Sequence, residues 1–264
     1  MSTRKTKDTE IESDLAPATV SEFEGVRYLH LGTPWVQGAM RVRKPLAIEL
    51  EYVQRMMVWL LLREPADLST GLAVQLGLGA GAITRFTYGV LKMQTVAVEL
   101  NDTVIGMCRA YFNLPDDNSR LRVARMDAAD FVADAANIDT VQALCVDLYD
   151  HDAASPILDS EDFYRQCHGL LVDGGVMTVN LFGRDASFEQ SASRISNAFG
   201  DSLVFSMQPT KEGNTIVVAM KGGVLPDRDT LAQRAETLDT RFKLPAKKWL
   251  RMMRPLTPPP TSVP

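Results

Sequence analysis

The segment VDLYDHD sets three carboxylates, Asp147, Asp150 and Asp152, where an apolar stretch running from Val141 to Tyr149 gives out. From Asp147 to Tyr164 there are six acidic residues and no Lys or Arg. Part of that excess has a local purpose. Asp159, Glu161 and Asp162 flank Ser160 at an expected helix start, where a serine caps and acids suit the positive end of the helix dipole. Asp147 and Asp150 have no such purpose. Carboxylates at the end of a strand hold a cation or accept a proton, so these two are the candidate catalytic residues. The plain alternative is a pair of solvated loop carboxylates.

A second cluster opens in LGLGAGAITRF, from Leu76 to Phe86. Gly77, Gly79 and Gly81 follow an apolar run, which puts them at the carboxyl end of a strand, the edge where open α/β sheets bind ligands. Glycines there let the backbone turn tightly and approach a ligand, and the helix behind adds free N–H groups. Glu99 ends the next strand, placed to accept hydrogen bonds from ribose hydroxyls. Asp127 and Ala128 follow the third strand. An acid there takes an adenine amino group while the next backbone N–H meets a ring nitrogen; the alternative for Asp127 is an N-cap ahead of AADFV. Gly77, Gly79, Gly81, Glu99, Asp127 and Ala128 thus point to an adenosine-containing ligand. Gly77-x-Gly79-x-x-Ala82 also fits a dinucleotide fingerprint. The Asp127-Ala128 pair and the terminal hairpin described next favour S-adenosylmethionine or a relative.

The elements that must position these residues alternate. LAVQLGL, TVAVEL, RLRVARM, VQALCVDLY and VMTVNLF read as strands, and helical patterns separate them: ITRFTYGVL, DTVIGMCRAYF with Asp102 as N-cap, AADFVADAA, and SEDFYRQCHGLLVDGG closing on Gly174-Gly175. After the helix SFEQSASRISNAF, the strands LVFSM and TIVVAMK are joined by the turn PTKEGN, too short for a parallel crossover, so they pair antiparallel. This predicts an α/β, Rossmann-like fold of the class I adenosylmethionine-dependent methyltransferase type: a doubly wound sheet with a terminal antiparallel hairpin. Upstream, GVRYLHLG and WVQGAMRVR form a small β hairpin, followed by a helix from about Ile48 to Arg63. The expected organisation is a disordered tail over 1–21, a small N-terminal β region and linking helix over 22–65, the nucleoside-binding catalytic domain over 66–222, and a C-terminal helix with a Pro-rich tail over 223–264. LPAKKWLRMMRP is expected to be a short exposed helix.

Composition narrows the classes. The 264-residue chain is 45% apolar and 23% charged, ordinary for a soluble globular protein. A net charge of -5 disfavours a nucleic-acid surface and favours small cationic ligands. The first residues lack the apolar core of a secretory signal, and MMVWLLL is too short to span a membrane, so a cytoplasmic location without membrane contact is expected. Cys108, Cys145 and Cys167 lack metal spacing and read as reduced, buried small hydrophobes. His30, His151 and His168 are scattered. No metal site is expected.

WVQGAMRV, ELEYVQRMM, LGLGAGA, VEL, MDAADF, VDLYDHD and LDSEDFYRQC follow in order the pattern of the spermidine synthases (polyamine aminopropyltransferases), and most closely resemble the short bacterial spermidine synthase-like branch. The resemblance runs from about Tyr28 to Lys221. It implies that Gln37 contacts the nucleoside, Glu99 holds the ribose and Asp127 binds adenine. It further implies that Asp147 is the catalytic base and that Asp150 helps hold the diamine. The implied co-substrate, with no prosthetic group, is decarboxylated S-adenosylmethionine; the implied acceptor is a diamine such as putrescine, and the implied assembly a homodimer. Three positions depart from the pattern. Ala80 stands where the family has an acid in the glycine loop, Val53-Gln54 where it has a Tyr-His pair (Tyr52 lies one position off), and HDAASP replaces the gate loop. The nucleoside half is well kept and the amine half poorly kept. Two alternatives therefore stay open: a methyltransferase using intact S-adenosylmethionine, with Arg85 as partner for the donor carboxylate unless it faces water, and a non-catalytic nucleoside-binding homologue.

Overall fold

The computed structural model describes residues 15–149, 158–182, 186–200, 204–222 and 224–256. It opens with a small antiparallel sheet of β1 (Ala18–Phe23), β2 (Val26–Leu31) and β3 (Gly38–Arg41). Strand β1 enters the stretch expected to be a loose tail. The missed signal is its turn: Glu24 and Gly25 take φ of 50° and 74°, the positive-φ pair that a tight hairpin requires.

The main sheet has eight strands: β4 (Leu72–Leu76), β5 (Gln94–Glu99), β6 (Leu121–Arg125), β7 (Val141–Val146), β8 (Leu171–Phe182), β9 (Val204–Met207), β10 (Asn214–Met220) and β11 (Met253–Pro255). Their order is β11-β9-β10-β8-β7-β4-β5-β6. The pairs from β8 through β7, β4 and β5 to β6 are parallel, whereas β8, β10, β9 and β11 pair antiparallel. The expected terminal hairpin is therefore present, with β10 inserted between β8 and β9.

The helices are α1 (Glu51–Met56), α2 (Ala82–Arg85), α3 (Asp102–Tyr111), α4 (Ala128–Ala133), α5 (Glu161–Leu170), α6 (Ala186–Phe199), α7 (Arg228–Phe242) and α8 (Ala246–Met252). Helix α1 starts later than the expected Ile48 and tightens into a 3-10 turn over Met57–Leu62, every residue of which is buried. Helix α3 is capped by Asn101, not Asp102: the Asn101 side chain accepts from Thr103 N at 2.9 Å. Ser160 caps α5 as expected, accepting from Phe163 N at 3.0 Å. The end of α5 differs from expectation. It stops at Leu170, and Gly174 and Gly175 lie inside β8, where the register against β7 slips. A side chain at Gly175 would meet the carbonyls of Val172 and Val141 at 2.8 and 2.9 Å, so the doublet makes a bulge rather than a helix stop.

One face of the sheet buries α1 with its 3-10 extension, α2, α7 and α8; the other buries α4, α5 and α6. Strand β10 shows both: Ile216 and Val218 face the first layer, Val217 and Ala219 the second. A strand covered on both faces is apolar throughout, as TIVVAM is. The small sheet forms a third cluster, packing Leu29 and Met40 against Leu78, Ala80 and Cys108. It thereby sits on the glycine-loop end of the main sheet.

The C-terminal segment corrects a further expectation. Leu244, Ala246 and Trp249 are buried, while Lys247, Lys248 and Arg251 point outward. The helix is amphipathic, and its apolar side completes the core before the chain adds β11. Among the described residues no helix is long and apolar enough to cross a membrane. Trp249→Ala should therefore cost about 3–5 kcal/mol, since it empties a large core site. Thermal unfolding should show a midpoint lower by on the order of 10 °C; an unchanged midpoint would contradict the packing.

Candidate active site

The carboxyl ends of β4, β5 and β7 border a cavity of about 800 Å³, within the range of small-molecule sites. Gln37, Gly77, Gly79, Glu99, Asp127, Ala128 and Asp147 all stand in its lining. Gly81 does not. It is the N-cap of α2, in the left-handed region at φ 69°, and its amide donates to Leu78 O at 2.8 Å. Its glycine serves the turn into the helix rather than the cavity wall. Asp150, with His151 and Asp152, falls outside the described residues.

Gly77 has a reason that is not a ligand. A Cβ there would lie 2.1 Å from the carbonyl oxygen of Asp147, and its φ is 85°. Gly79, at φ 50°, would place a Cβ 3.1 Å from Gln37 O. Gly38 of β3 closes against Ala80, with a notional Cβ 2.5 Å from Ala80 N. Ala80 is buried beneath β3, so the position at which the family pattern has an acid is packed against backbone.

At one side of the cavity, Glu99 is fixed by two backbone donors. Its Oε2 accepts from Leu78 N and its Oε1 from Asn101 N, both at 2.9 Å. Burial pushes its carboxyl above the usual range, against the pull of these hydrogen bonds. Asp127 caps α4, its Oδ1 accepting from Ala129 N at 2.8 Å, and also lines the cavity. The capping and lining roles thus coincide on one side chain. Leu100, Val104 and Met126 add apolar surface to the lining.

At the other side stands Asp147, whose two oxygens take neutral donors. Tyr52 donates its hydroxyl to Oδ2 at 3.2 Å, and Asn180 Nδ2 donates to Oδ1 at 2.8 Å. Asn214 Nδ2 donates to Asn180 Oδ1 at 3.1 Å, which fixes the Asn180 amide. Tyr149 donates to Asn180 O at 3.0 Å. Burial raises the Asp147 carboxyl above its ordinary value, and these hydrogen bonds oppose it. Burial first, and then the Asp147 charge, keep the Tyr52 phenol protonated well above the usual tyrosine range.

Sequence reasoning set Tyr52 one place off the family pattern, yet its hydroxyl reaches Asp147. It overlooked Asn180 and Asn214. Their signal was available: each is a polar residue in or at the edge of a buried apolar strand, where an unpaired amide is costly. Arg85 corrects the reading that offered it as a cavity cation or a solvated residue. It is 1% exposed, donates to Pro45 O at 2.9 Å and to Ala80 O, and stands outside the cavity lining.

No family model matches the chain. It is 31% identical over 228 residues to the polyamine aminopropyltransferase of Chromobacterium violaceum, an alignment covering 85% of this chain and 84% of that protein. A probable spermidine synthase from Corynebacterium glutamicum superposes with a TM-score of 0.69 at 16% identity, over 94% of this chain and 95% of that one. Human methyltransferase-like protein 13 in complex with SAH superposes with a TM-score of 0.66 at 19% identity, over 81% and 98% respectively. These likenesses establish the Rossmann-like α/β fold of adenosylmethionine-dependent enzymes.

The raised carboxyl of Asp147 yields a stability prediction. A carboxylate whose folded pKa lies above its unfolded value costs stability once pH exceeds the unfolded value, near 3.9. Asp147→Asn removes that pH-dependent cost, but it also turns one accepting oxygen into an NH2 donor that faces Tyr52 or Asn180. The melting temperature of the variant relative to the parent should therefore rise as pH is raised from about 3.5 to 7.5. A relative melting temperature that falls over that range would refute the sign.

Proposed function

The chain belongs to the polyamine aminopropyltransferase family, and from that membership we propose that it transfers an aminopropyl group from decarboxylated S-adenosylmethionine to a diamine such as putrescine, with Asp147 as base. The observation that carries the reading is a half-buried, doubly hydrogen-bonded carboxylate in the same cavity wall as the glycine loop and Glu99.

The chemistry follows from these residue types. A primary alkyl amine is protonated at neutral pH, with a pKa near 10, and an ammonium ion has no lone pair with which to attack carbon. Asp147 attracts the cation and accepts one proton from it. The freed nitrogen displaces sulfur from the methylene beside the sulfonium: a C–N bond forms, the C–S bond breaks, and its electron pair stays on sulfur. The product amine is a secondary ammonium, methylthioadenosine leaves as a neutral thioether, and Asp147 returns its proton to water. Burial strengthens Asp147 as a base, while Tyr52 and Asn180 hold both its oxygens so that nitrogen, carbon and sulfur align. Glu99 holds the ribose, Asp127 and Ala128 the adenine, and Gln37, Gly77 and Gly79 complete the nucleoside site. Asp150 is assigned to the diamine on the family pattern. Two copies of the chain form the assembly.

Ala80 favours a second reading, methyl transfer from intact S-adenosylmethionine, because the acid expected near the donor amine is absent. One experiment separates them. Purified protein supplied with decarboxylated S-adenosylmethionine and putrescine should release methylthioadenosine and an aminopropylated diamine. Asp147→Asn should lower kcat by roughly 10²–10⁴-fold, the usual worth of a general base, with methylthioadenosine affinity nearly unchanged. Methyl transfer from the intact donor, with the decarboxylated one unused, would establish the second reading instead. Nucleoside binding without turnover of either donor would mark a non-catalytic homologue.

A further inference from the structure

Four carbonyl oxygens of the glycine loop are engaged by side chains that stand outside the cavity lining. Gln75 Nε2 donates to Gly77 O at 2.7 Å and to Leu78 O at 3.1 Å. Cys108 donates its thiol to Gly79 O at 3.0 Å, and Arg85 Nη1 donates to Ala80 O. Gln75 is the hub. It lies in β4, 4% exposed, among apolar neighbours. Its Oε1 accepts from Thr84 N at 3.0 Å and from Thr84 Oγ1 at 2.6 Å. Both amide protons and both oxygen lone pairs are therefore used, which is what a buried glutamine requires.

Two consequences follow locally. Gly81, the N-cap of α2, has no side chain with which to satisfy the first turn, and the helix start shows no side-chain cap of its own. Gln75 supplies that acceptor from the strand, at Thr84 N. More importantly, Gly77 O and Leu78 N belong to one peptide unit. Gln75 holds its oxygen, and its N–H donates to Glu99 Oε2 at 2.9 Å. The peptide is clamped from both ends.

We infer that Gln75 is a positioning residue for the nucleoside: by fixing the Gly77–Leu78 peptide it orients the Glu99 carboxylate from outside the cavity. This rests on the reading of Glu99 as the nucleoside-holding acid. Without the Gln75 amide, Gly77 O loses its donor, while Leu78 O keeps the Gly81 N–H, and the Gly77–Leu78 peptide is free to rotate. Leu78 N–H then leaves Glu99, and the carboxylate loses the donor that fixes its Oε2. Thr84, by contrast, serves the helix end of the same glutamine and does not touch the clamped peptide.

The test is calorimetric titration of methylthioadenosine into the full chain and into Gln75→Leu, Gln75→Glu, Thr84→Val and Glu99→Gln, with kcat at saturating donor measured alongside. Gln75→Leu should bind about tenfold more weakly, the loss expected for one or two buried hydrogen bonds. Its kcat should stay within about twofold, because Asp147 and its partners are untouched. Gln75→Glu keeps the acceptor for Thr84; burial favours its protonated form, which retains one O–H donor, so it is titrated at about pH 9, where the ionised carboxylate has no donor and should match Gln75→Leu. It decides the matter if Gln75→Leu fails to fold. Thr84→Val should bind within about twofold of the parent. A Gln75→Glu protein that binds like the parent, or Gln75 variants that lose kcat and affinity in equal measure, would overturn the inference. If Glu99→Gln binds like the parent, the nucleoside reading itself fails. Weak binding by Glu99→Gln with full binding by both Gln75 variants sinks the positioning role alone.

Discussion

The carbonyl of Asp147 runs so close to Gly77 that a single added carbon would overlap it, at 2.1 Å. That contact couples the two halves of the site through backbone alone. Strands β4 and β7 lie side by side in the sheet, and Asp147 N donates to Leu76 O at 2.9 Å as the pair ends. The glycine loop leaves β4 where the candidate base leaves β7. Strand β3 then closes over the loop, with Gly38 seated on Ala80. Three segments far apart in sequence meet where glycines let their backbones approach. Backbone against backbone has few ways to relax, so the cavity is shaped by close packing rather than by adjustable contacts.

Within that frame two of the lining carboxylates, Glu99 and Asp147, are held by neutral dipoles. Glu99 takes two amide N–H groups, and Asp147 takes a phenol and a carboxamide. Such donors stabilise ionised oxygens without cancelling their charge. The cavity therefore keeps a negative potential suited to a sulfonium and an ammonium together. Burial opposes ionisation at both acids, and a bound cation relieves that opposition. The same desolvation that costs the empty protein stability gives the carboxylates their pull on a cationic ligand.

Much of the architecture was legible because its signals are local. The apolar strand runs, the Ser160 cap and the short turn ahead of β10 each follow from a few neighbouring residues. Glu99, Asp127 and Asp147 were legible because the carboxyl edge of a parallel sheet is fixed once strand ends are. What escaped depends on partners distant in the chain. Gly174-Gly175 reads as a helix stop until its carbonyl neighbours on β7 and β8 are known. Asn180, Asn214 and Tyr52 meet only after β8, β10 and α1 have packed. Gly81 shares the pattern of Gly77 and Gly79, and spacing alone does not separate a cavity glycine from a capping one.

The outermost strands bear on how copies of the chain meet. An unpaired border invites any extended segment to add itself. At one border lies β11, a three-residue strand ending in Pro255, which has no N–H to offer a newcomer. At the other lies β6, with Arg122 and Arg125 exposed along it. A stub closed by an imino acid and a ribbon studded with guanidinium groups both repel further growth. Growth of the eight-stranded sheet from one molecule to the next is thus disfavoured, which leaves encounters to its helical faces and to the small three-stranded sheet.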